Sequence, residues 1–144
     1  MFDLLDPAAS LLWPSAAHLA LTAFLYLWLT IERAAAVLAR RNRYDDFVRP
    51  DADQGRGARV AANLRNQFEA PPFFHMLILA LVLAGEPVTA QLALAWVFVA
   101  GRVAHTLVQT LTGHVVLRGM VFSINFLALC GMWVIFLVRM LNSA

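Results

Sequence analysis

The fold is decided by residues 74–111, which read FHMLILALVLAGEPVTAQLALAWVFVAGRVAHTLVQTL. They contain two long apolar runs, one on each side of the turn-forming tripeptide Gly85-Glu86-Pro87. An apolar run of about 20 residues is long enough to cross the hydrocarbon core of a bilayer as a helix. Because the connection is so short, the two helices must be antiparallel neighbours. The stretch therefore predicts a transmembrane helical hairpin.

The same pattern extends over the whole chain. It predicts a single transmembrane domain over residues 1–144, with spans at about 15–33, 58–84, 88–111 and 115–141. Pro71 and Pro72 interrupt the second span, where they kink the helix and leave carbonyls that neighbouring side chains must satisfy. The composition, 61% hydrophobic and 14% charged, is that of a membrane protein. We expect an all-α integral, multi-pass membrane protein built as a four-helix bundle in lipid.

The charged residues predict the orientation. All eleven basic residues are arginines, and most of them lie between the first two apolar runs, mixed with acidic residues. This mixture argues against a nucleic-acid partner, whereas positive charge between spans marks the cytoplasmic side. We expect the first loop and the 112–118 loop to be cytoplasmic, and the acidic amino terminus and the 85–87 turn to lie opposite. The lysine-free, alanine-rich composition hints at a bacterial genome rich in GC, for which the host membrane is the inner one.

Polar side chains interrupt the apolar spans, where a charge costs at least about 2.5–3.5 kcal/mol. Those of the second, third and fourth spans fall in the same, cytoplasmic half of the membrane. They are Arg65, Asn66, Glu69, Arg102, His105, Gln109 and Arg118. With three arginines against one glutamate, the cluster favours an anionic ligand with carboxylates, which arginine binds through paired hydrogen bonds. Arg118 opens the fourth helix, where the helix end adds positive potential that stabilises a thiolate.

Purely structural interpretations of these residues stay open. Glu69 is able to neutralise Arg102 across two helices, or Arg65 four residues earlier in its own helix. His105 is equally well explained as a hydrogen-bonded core histidine. His75, which lies past the prolines in an apolar stretch, is better explained by packing.

Other kinds of chemistry fit the sequence poorly. No cluster of Cys and His has metal-ligand spacing, so no metal site is predicted. We find neither a glycine-rich phosphate loop nor a Ser-His-Asp arrangement. The lone Cys130 lies too far along the fourth helix to be the nucleophile, which leaves a bound small thiol as the group that Arg118 would activate.

Two motifs resemble a known family. Residues 65–72, Arg-Asn-Gln-Phe-Glu-Ala-Pro-Pro, resemble the second-helix signature of the MAPEG family, the membrane-associated proteins of eicosanoid and glutathione metabolism. Residues 101–106, Gly-Arg-Val-Ala-His-Thr, resemble a third helix of that family, and Arg118 has the spacing of its thiol-activating arginine. The resemblance covers the whole chain in helix number, loop sizes and order. It implies a homotrimer that binds glutathione in clefts between subunits, near the cytoplasmic side.

The resemblance implies a role for each site residue. Arg118 is implied to be the catalytic residue that stabilises the thiolate, and Arg102 is implied to brace Glu69. The implied glutathione-binding residues are Arg33, which would reach the neighbouring subunit's glutathione, Arg65, Asn66, Glu69, Arg102, His105, Gln109 and Ser123.

The chain departs from the family pattern at three positions. Gln109 and Phe122 stand where tyrosines would face glutathione, and each lost hydrogen bond is worth about 0.5–1.5 kcal/mol. Gly119 stands where a serine hydroxyl would be, although Ser123 offers one a turn later. The departures weaken glutathione binding or shift its pose.

Two functions follow from the residues and the resemblance together. The favoured one is a glutathione-dependent transferase or peroxidase that acts on a hydrophobic electrophile arriving from the bilayer. The alternative is a non-catalytic lipid-binding or scaffold protein of the same fold, whose polar cluster only holds the trimer together. An enzyme must bind glutathione saturably and stabilise its thiolate, and a scaffold need not.

Overall fold

The computed structural model describes residues 7–85 and 89–143, which form helices joined by short connections. The helices are α1 (Leu12–Leu38), α2 (Gly55–Asn66), α3 (Pro71–Ala84), α4 (Thr89–Leu111) and α5 (Val115–Ser143), with 3-10 turns at Pro7–Leu11 and Tyr44–Val48. Four helical segments of the described residues are long and apolar enough to cross a membrane, and α2 with α3 forms the second of them. The expectation of an all-α protein with four spans is confirmed.

The predicted spans coincide closely with these helices. The first and fourth helices extend past the predicted limits of 15–33 and 115–141, since α1 runs over Leu12–Leu38 and α5 over Val115–Ser143. Gly85, in the left-handed region with φ of 69°, ends α3, as a residue without a Cβ does at little cost. The rest of the predicted turn, Glu86 and Pro87, lies outside the described residues, as do Val88 and the acidic amino-terminal residues 1–6.

The second span is broken into two helices rather than kinked. Residues 67–70 form a turn, and α3 begins at Pro71, where a missing N–H costs nothing because the first helical N–H groups have no intrahelical partner. The chain tightens before the break, where the backbone N–H of Phe68 donates to the carbonyl of Arg65 at 2.9 Å. The break interrupts the regular backbone hydrogen bonds of the span, and the end of α2 contacts α4 through Asn63 and Asn66.

Two apolar clusters hold the helices together. One joins α3, α4 and α5 around the stacked rings of Phe74 and Phe98, whose centroids are 4.3 Å apart. The other joins α1 to α2 through Leu25, Leu29, Val60, Ala61 and Leu64. Except for Gln91, the buried polar side chains of α2 and α4 lie beyond Phe98 along α4, toward the end of the bundle that carries the 39–54 loop and the 112–114 turn. We call this end the arginine-rich end.

Helices α4 and α5 pack closely against each other at Gly101. A Cβ atom added there would lie 2.6 Å from the Cβ of Asn125, closer than real atoms pack. Asn125 is fully buried, and neither atom of its amide has a hydrogen-bond partner among the described residues. Glycine at position 101 is therefore required by the packing of α5 next to the polar residues of α4.

Candidate functional site

The site begins at the break between α2 and α3. The guanidinium of Arg102, on α4, donates through NH2 to the backbone carbonyl of Asn66 at 2.8 Å. It also donates to Oε1 of Gln67, from Nε at 3.3 Å and from NH2 at 3.0 Å. A side chain of a neighbouring helix thus satisfies a carbonyl at the break. Arg102 is fully buried, and its remaining nitrogen, NH1, has no hydrogen-bond partner in the described part of the chain.

Amide and hydroxyl groups continue from this point toward the arginine-rich end. Gln67 Nε2 donates to Asn63 Oδ1 at 3.0 Å, and the hydroxyl of Thr106 donates to the same oxygen at 2.9 Å. Asn63 Nδ2 donates to Gln109 Oε1 at 2.8 Å and lies 3.4 Å from His105 Nδ1. We call this buried set, together with Arg102, the polar layer.

Glu69 is paired with neither of the arginines that the sequence offers it. No hydrogen bond or ion pair joins it to Arg102 or to Arg65 within the described residues, although its charge acts on Arg102 at longer range. The physical reason is the break: the turn at 67–70 directs Gln67 inward and leaves Glu69 exposed. Arg102 therefore contacts Gln67 and Asn66 instead of bracing Glu69.

Three charged residues of the predicted site are exposed on the single chain. They are Arg65, Glu69 and Arg118, which we call the exposed charges. Arg65 and Glu69 belong to the second membrane span, where an uncovered charge would face lipid at a large cost. Asn66, beside them, is half-buried and donates to Gln109 Oε1 at 3.2 Å. The single chain thus leaves the outer part of the site uncovered.

Two predicted site residues, Gln109 and Arg118, line the same cavity of about 250 Å³. It lies between α2, the end of α4 and the start of α5, and Arg59, Thr112 and His114 also line it. Arg59, which the sequence did not single out, donates through NH1 to the carbonyl of Thr112 at 3.3 Å. No acidic side chain of the described residues lines the cavity. Its two guanidinium groups and one amide make it suited to an anion.

Phe122 and Ser123 stand one turn further along α5. The ring of Phe122 lies 5.9 Å from that of His105 and stacks on Phe126. The hydroxyl of Ser123 donates to the carbonyl of Gly119 at 3.0 Å, inside its own helix. His105 is buried in the polar layer and lies within the electrostatic range of Arg118.

Within the single chain, Arg33 lies apart from these residues, in a different cavity. It forms a two-pronged ion pair with Asp53, at 2.9 Å from Nε and 2.6 Å from NH2. Its guanidinium also lies 5.0 Å from the centre of the Phe47 ring. These contacts line a separate cavity of about 540 Å³ between α1, the 39–54 loop and α2. Within one chain, Arg33 therefore holds the first loop against α1.

Sequence reasoning missed a second polar group, which lies on the other side of Gln67. His18, on α1, is only 1% exposed and lies 3.1 Å from Gln67 Oε1 through Nε2. His75, interpreted above as packing, is hydrogen-bonded to His18 and to Ser15. The available signal was His18 itself, because an ionisable residue inside a span is a functional or structural site by default.

The fold and the buried polar groups together define a four-span helical membrane protein with a basic, ligand-sized cavity near one end. Comparison with protein families matches residues 11–138 to the MAPEG family, so the chain belongs to this family, as the two motifs indicated. No curated protein and no solved structure matches the chain in comparable searches. Membership places the protein among the membrane proteins of eicosanoid and glutathione metabolism.

Proposed function

We propose that this protein is a glutathione-dependent transferase or peroxidase that acts on a hydrophobic electrophile from the bilayer. The observation that carries the proposal is the cavity at the arginine-rich end, which Arg59, Gln109 and Arg118 line and which no acidic side chain lines among the residues that the structure describes. Family membership supports the same ligand. An unopposed pair of arginines in a part-buried cavity attracts a ligand with negative charges.

The donor set of the site fits glutathione. Arginine binds carboxylates through two parallel hydrogen bonds, and amide side chains pair with peptide groups. We assign Arg65, Glu69 and Asn66 to the peptide, with Gln109 and Arg59 at the floor of the cavity. Arg102 supports this set from inside by fixing the end of α2, and His105 and Ser123 border it.

Glutathione supplies a thiol that, as a thiolate, adds to an electrophilic carbon or attacks a peroxide. Arg118 is the residue we assign to stabilising that negative charge. It stands in the first turn of α5, where the free backbone N–H groups also favour an anion. The lipid-exposed apolar surfaces of α4 and α5 around it give a hydrophobic acceptor a path from the bilayer.

The exposed charges support a homotrimer whose sites lie between subunits. Arg65 and Glu69 are uncovered in the single chain although they belong to a membrane span, and a second copy would cover them. In this assembly Arg33 of one subunit would serve the glutathione of the next only after releasing Asp53. We place the arginine-rich end in the cytoplasm, and the protein in the inner membrane if its host is a bacterium.

A second function is favoured by the internal bonding of the amides. Gln109 Oε1 already accepts from Asn63 and Asn66, so its oxygen is committed to the bundle. Phe122 and Gly119 also lack the hydroxyls that face glutathione in the family pattern. These features support a non-catalytic lipid-binding or scaffold protein in which the polar layer serves only the fold.

Glutathione binding to the protein in lipid nanodiscs separates the two functions. The wild type is expected to bind saturably and to raise the ultraviolet absorbance of the thiolate. Arg118→Gln is expected to weaken binding about tenfold or more, the effect of losing a hydrogen bond to a charged group, and to lose the thiolate signal.

Arg49→Gln is the matched control, because Arg49 is exposed in the first loop and pairs only with Asp46 among the described residues. It is expected to leave both signals unchanged. Absence of binding at millimolar glutathione, in a folded wild-type protein, would refute the enzyme and leave the scaffold as the function.

A further inference from the structure

A chain of hydrogen bonds runs through the bundle from α1 to the break. Ser15 Oγ lies 2.7 Å from His75 Nδ1, His75 Nε2 lies 3.1 Å from His18 Nδ1, and His18 Nε2 lies 3.1 Å from Gln67 Oε1. The two imidazole rings come from α1 and α3 and meet edge to face, with centroids 5.1 Å apart. None of Ser15, His18 and His75 takes part in the chemistry proposed above.

Arg102 fixes the direction of this chain. A guanidinium only donates hydrogen bonds, and two of its nitrogens contact the same atom of Gln67, so that atom must be the amide oxygen. The amide nitrogen of Gln67 then faces Asn63 Oδ1, as its 3.0 Å contact requires. Since Gln67 Oε1 accepts, Nε2 of His18 must carry a proton and donate to it.

The remaining protons follow in sequence. With both rings neutral, His18 has its lone pair at Nδ1, so His75 must donate from Nε2. His75 then has its lone pair at Nδ1 and accepts from the hydroxyl of Ser15. Both histidines are therefore in the Nε2–H form, and every hydrogen bond from Ser15 onward points toward Gln67.

Gln67 is placed where its side-chain contacts hold the break between α2 and α3 in one orientation. It lies in the turn between α2 and α3, directly after Asn66 and two residues before Glu69. This turn lacks the regular backbone hydrogen bonds of a helix, so its orientation depends on the side chains that hold it. Gln67 is held from α4 by Arg102, from α2 by Asn63 and from α1 by His18.

We propose that His18 and His75 are positioning residues for the ligand site, acting through Gln67. His18 donates to Gln67 and holds the turn against α1, and His75 keeps His18 in the tautomer that donates. The orientation of Asn66 and Glu69 toward the ligand then depends on α1 and α3, helices whose described residues do not line the cavity. This inference rests on the proposed glutathione function for its effect on affinity, but not for its proton arrangement.

Matched substitutions at His18 test the positioning role. His18→Gln places an amide N–H close to the position of Nε2, whereas His18→Met has a similar length and no donor. His18→Met is expected to weaken glutathione binding about three- to tenfold, the equivalent of one buried hydrogen bond, and His18→Gln to restore most of it. If the two variants bind glutathione equally, the role is overturned. Should His18→Met fail to fold, His75→Gln and His75→Met apply the same contrast one bond further away.

A spectroscopic measurement tests the proton arrangement without glutathione. The protein has only four histidines, so the ¹⁵N resonances of its imidazoles in nanodiscs are assignable by single substitutions. His114→Gln is the control, because His114 does not belong to this chain of hydrogen bonds. Both His18 and His75 are expected in the Nε2–H form, and the side-chain amide resonances of Gln67 and Asn66 are expected to shift in His18→Met.

The binding measurement and the spectroscopic measurement distinguish a failure of the positioning role from a failure of the proposed function. A His18 ring protonated at Nδ1, or amide resonances of Gln67 and Asn66 that are unchanged in His18→Met, would overturn the positioning role. A wild type that binds no glutathione, with these spectra as expected, would instead refute the proposed function and leave the positioning of the turn intact.

Discussion

The polar layer and the exposed charges both contain arginine, but in opposite states. Inside the bundle, Arg102 is fully buried and directs three hydrogen bonds at the break. On the outside, the side chains of Arg65, Glu69 and Arg118 make no hydrogen bond or ion pair with any described residue. The difference separates groups that the fold uses from groups that remain available to a ligand or a second copy. Substitutions inside should change stability, and substitutions outside should change binding.

The largest effect is expected from Arg102→Met. It strands the carbonyl of Asn66 and removes two of the donors to Gln67, and each stranded buried acceptor costs about 1–3 kcal/mol. We expect the free energy of unfolding in mixed micelles to fall by about 2–4 kcal/mol, the combined cost of these lost hydrogen bonds. Arg65→Met, the exposed counterpart, should change it by less than about 0.5 kcal/mol. Equal losses in the two variants would contradict the division into inner and outer groups.

The next effect concerns the packing that presents the polar layer. Gly101→Ala places a Cβ at 2.6 Å from Asn125, and such overpacking costs about 1–3 kcal/mol. Gly119→Ala is the control, because its added Cβ meets no described atom within 4 Å apart from its chain neighbours and its own helix backbone. Thermal unfolding of both variants measures the contrast. Adding Asn125→Gly to Gly101→Ala should recover part of the loss, and a double variant no more stable than the single one would place the clash elsewhere.

Outside the layer, Arg59 is expected to affect binding and not stability. Arg59 lines the cavity with Gln109 and Arg118, so Arg59→Gln should weaken glutathione binding about tenfold, the value of one hydrogen bond to a charged group. Arg56→Gln is matched to it, because Arg56 lies one turn earlier on α2 and pairs with Glu32. Isothermal titration of the two variants checks the difference. A larger loss of affinity in Arg56→Gln would indicate that glutathione binds in the cavity that Arg33 lines.

The fold was predictable because its determinants are local. Apolar length defined the four spans, and the missing N–H groups of Pro71 and Pro72 determined the break, which proved sharper than the predicted kink. Helix direction also brought Asn66, Arg102 and Gln109 into one half of the bundle. These inferences need only the order of the helices and the chemistry of single residues.

The division between inner and outer groups was not predictable. Arg65 and Arg102 are the same residue type in neighbouring spans, and only the rotation of each helix determines which one is buried. The predicted contact between Arg102 and Glu69 does not form in the chain because Gln67, a residue given no role, takes its place. His18 escaped notice because its partners lie 49 and 57 residues away in the sequence. Such contacts depend on packing that a periodic pattern does not encode.

The smallest effect is expected at Arg33. It tests whether Arg33, like the exposed charges, is available to a ligand. Its pair with Asp53 is part-exposed, so the coupling energy from a double-mutant cycle of Arg33→Gln and Asp53→Asn should be below about 1 kcal/mol. Glutathione affinity distinguishes the two roles of Arg33. If it only holds the loop, both single variants leave the affinity unchanged. If it reaches a neighbouring subunit's glutathione, Arg33→Gln weakens binding while Asp53→Asn, which releases the guanidinium, strengthens it. We expect the second pattern in the assembled trimer, and equal affinities in both variants would confine Arg33 to the first loop.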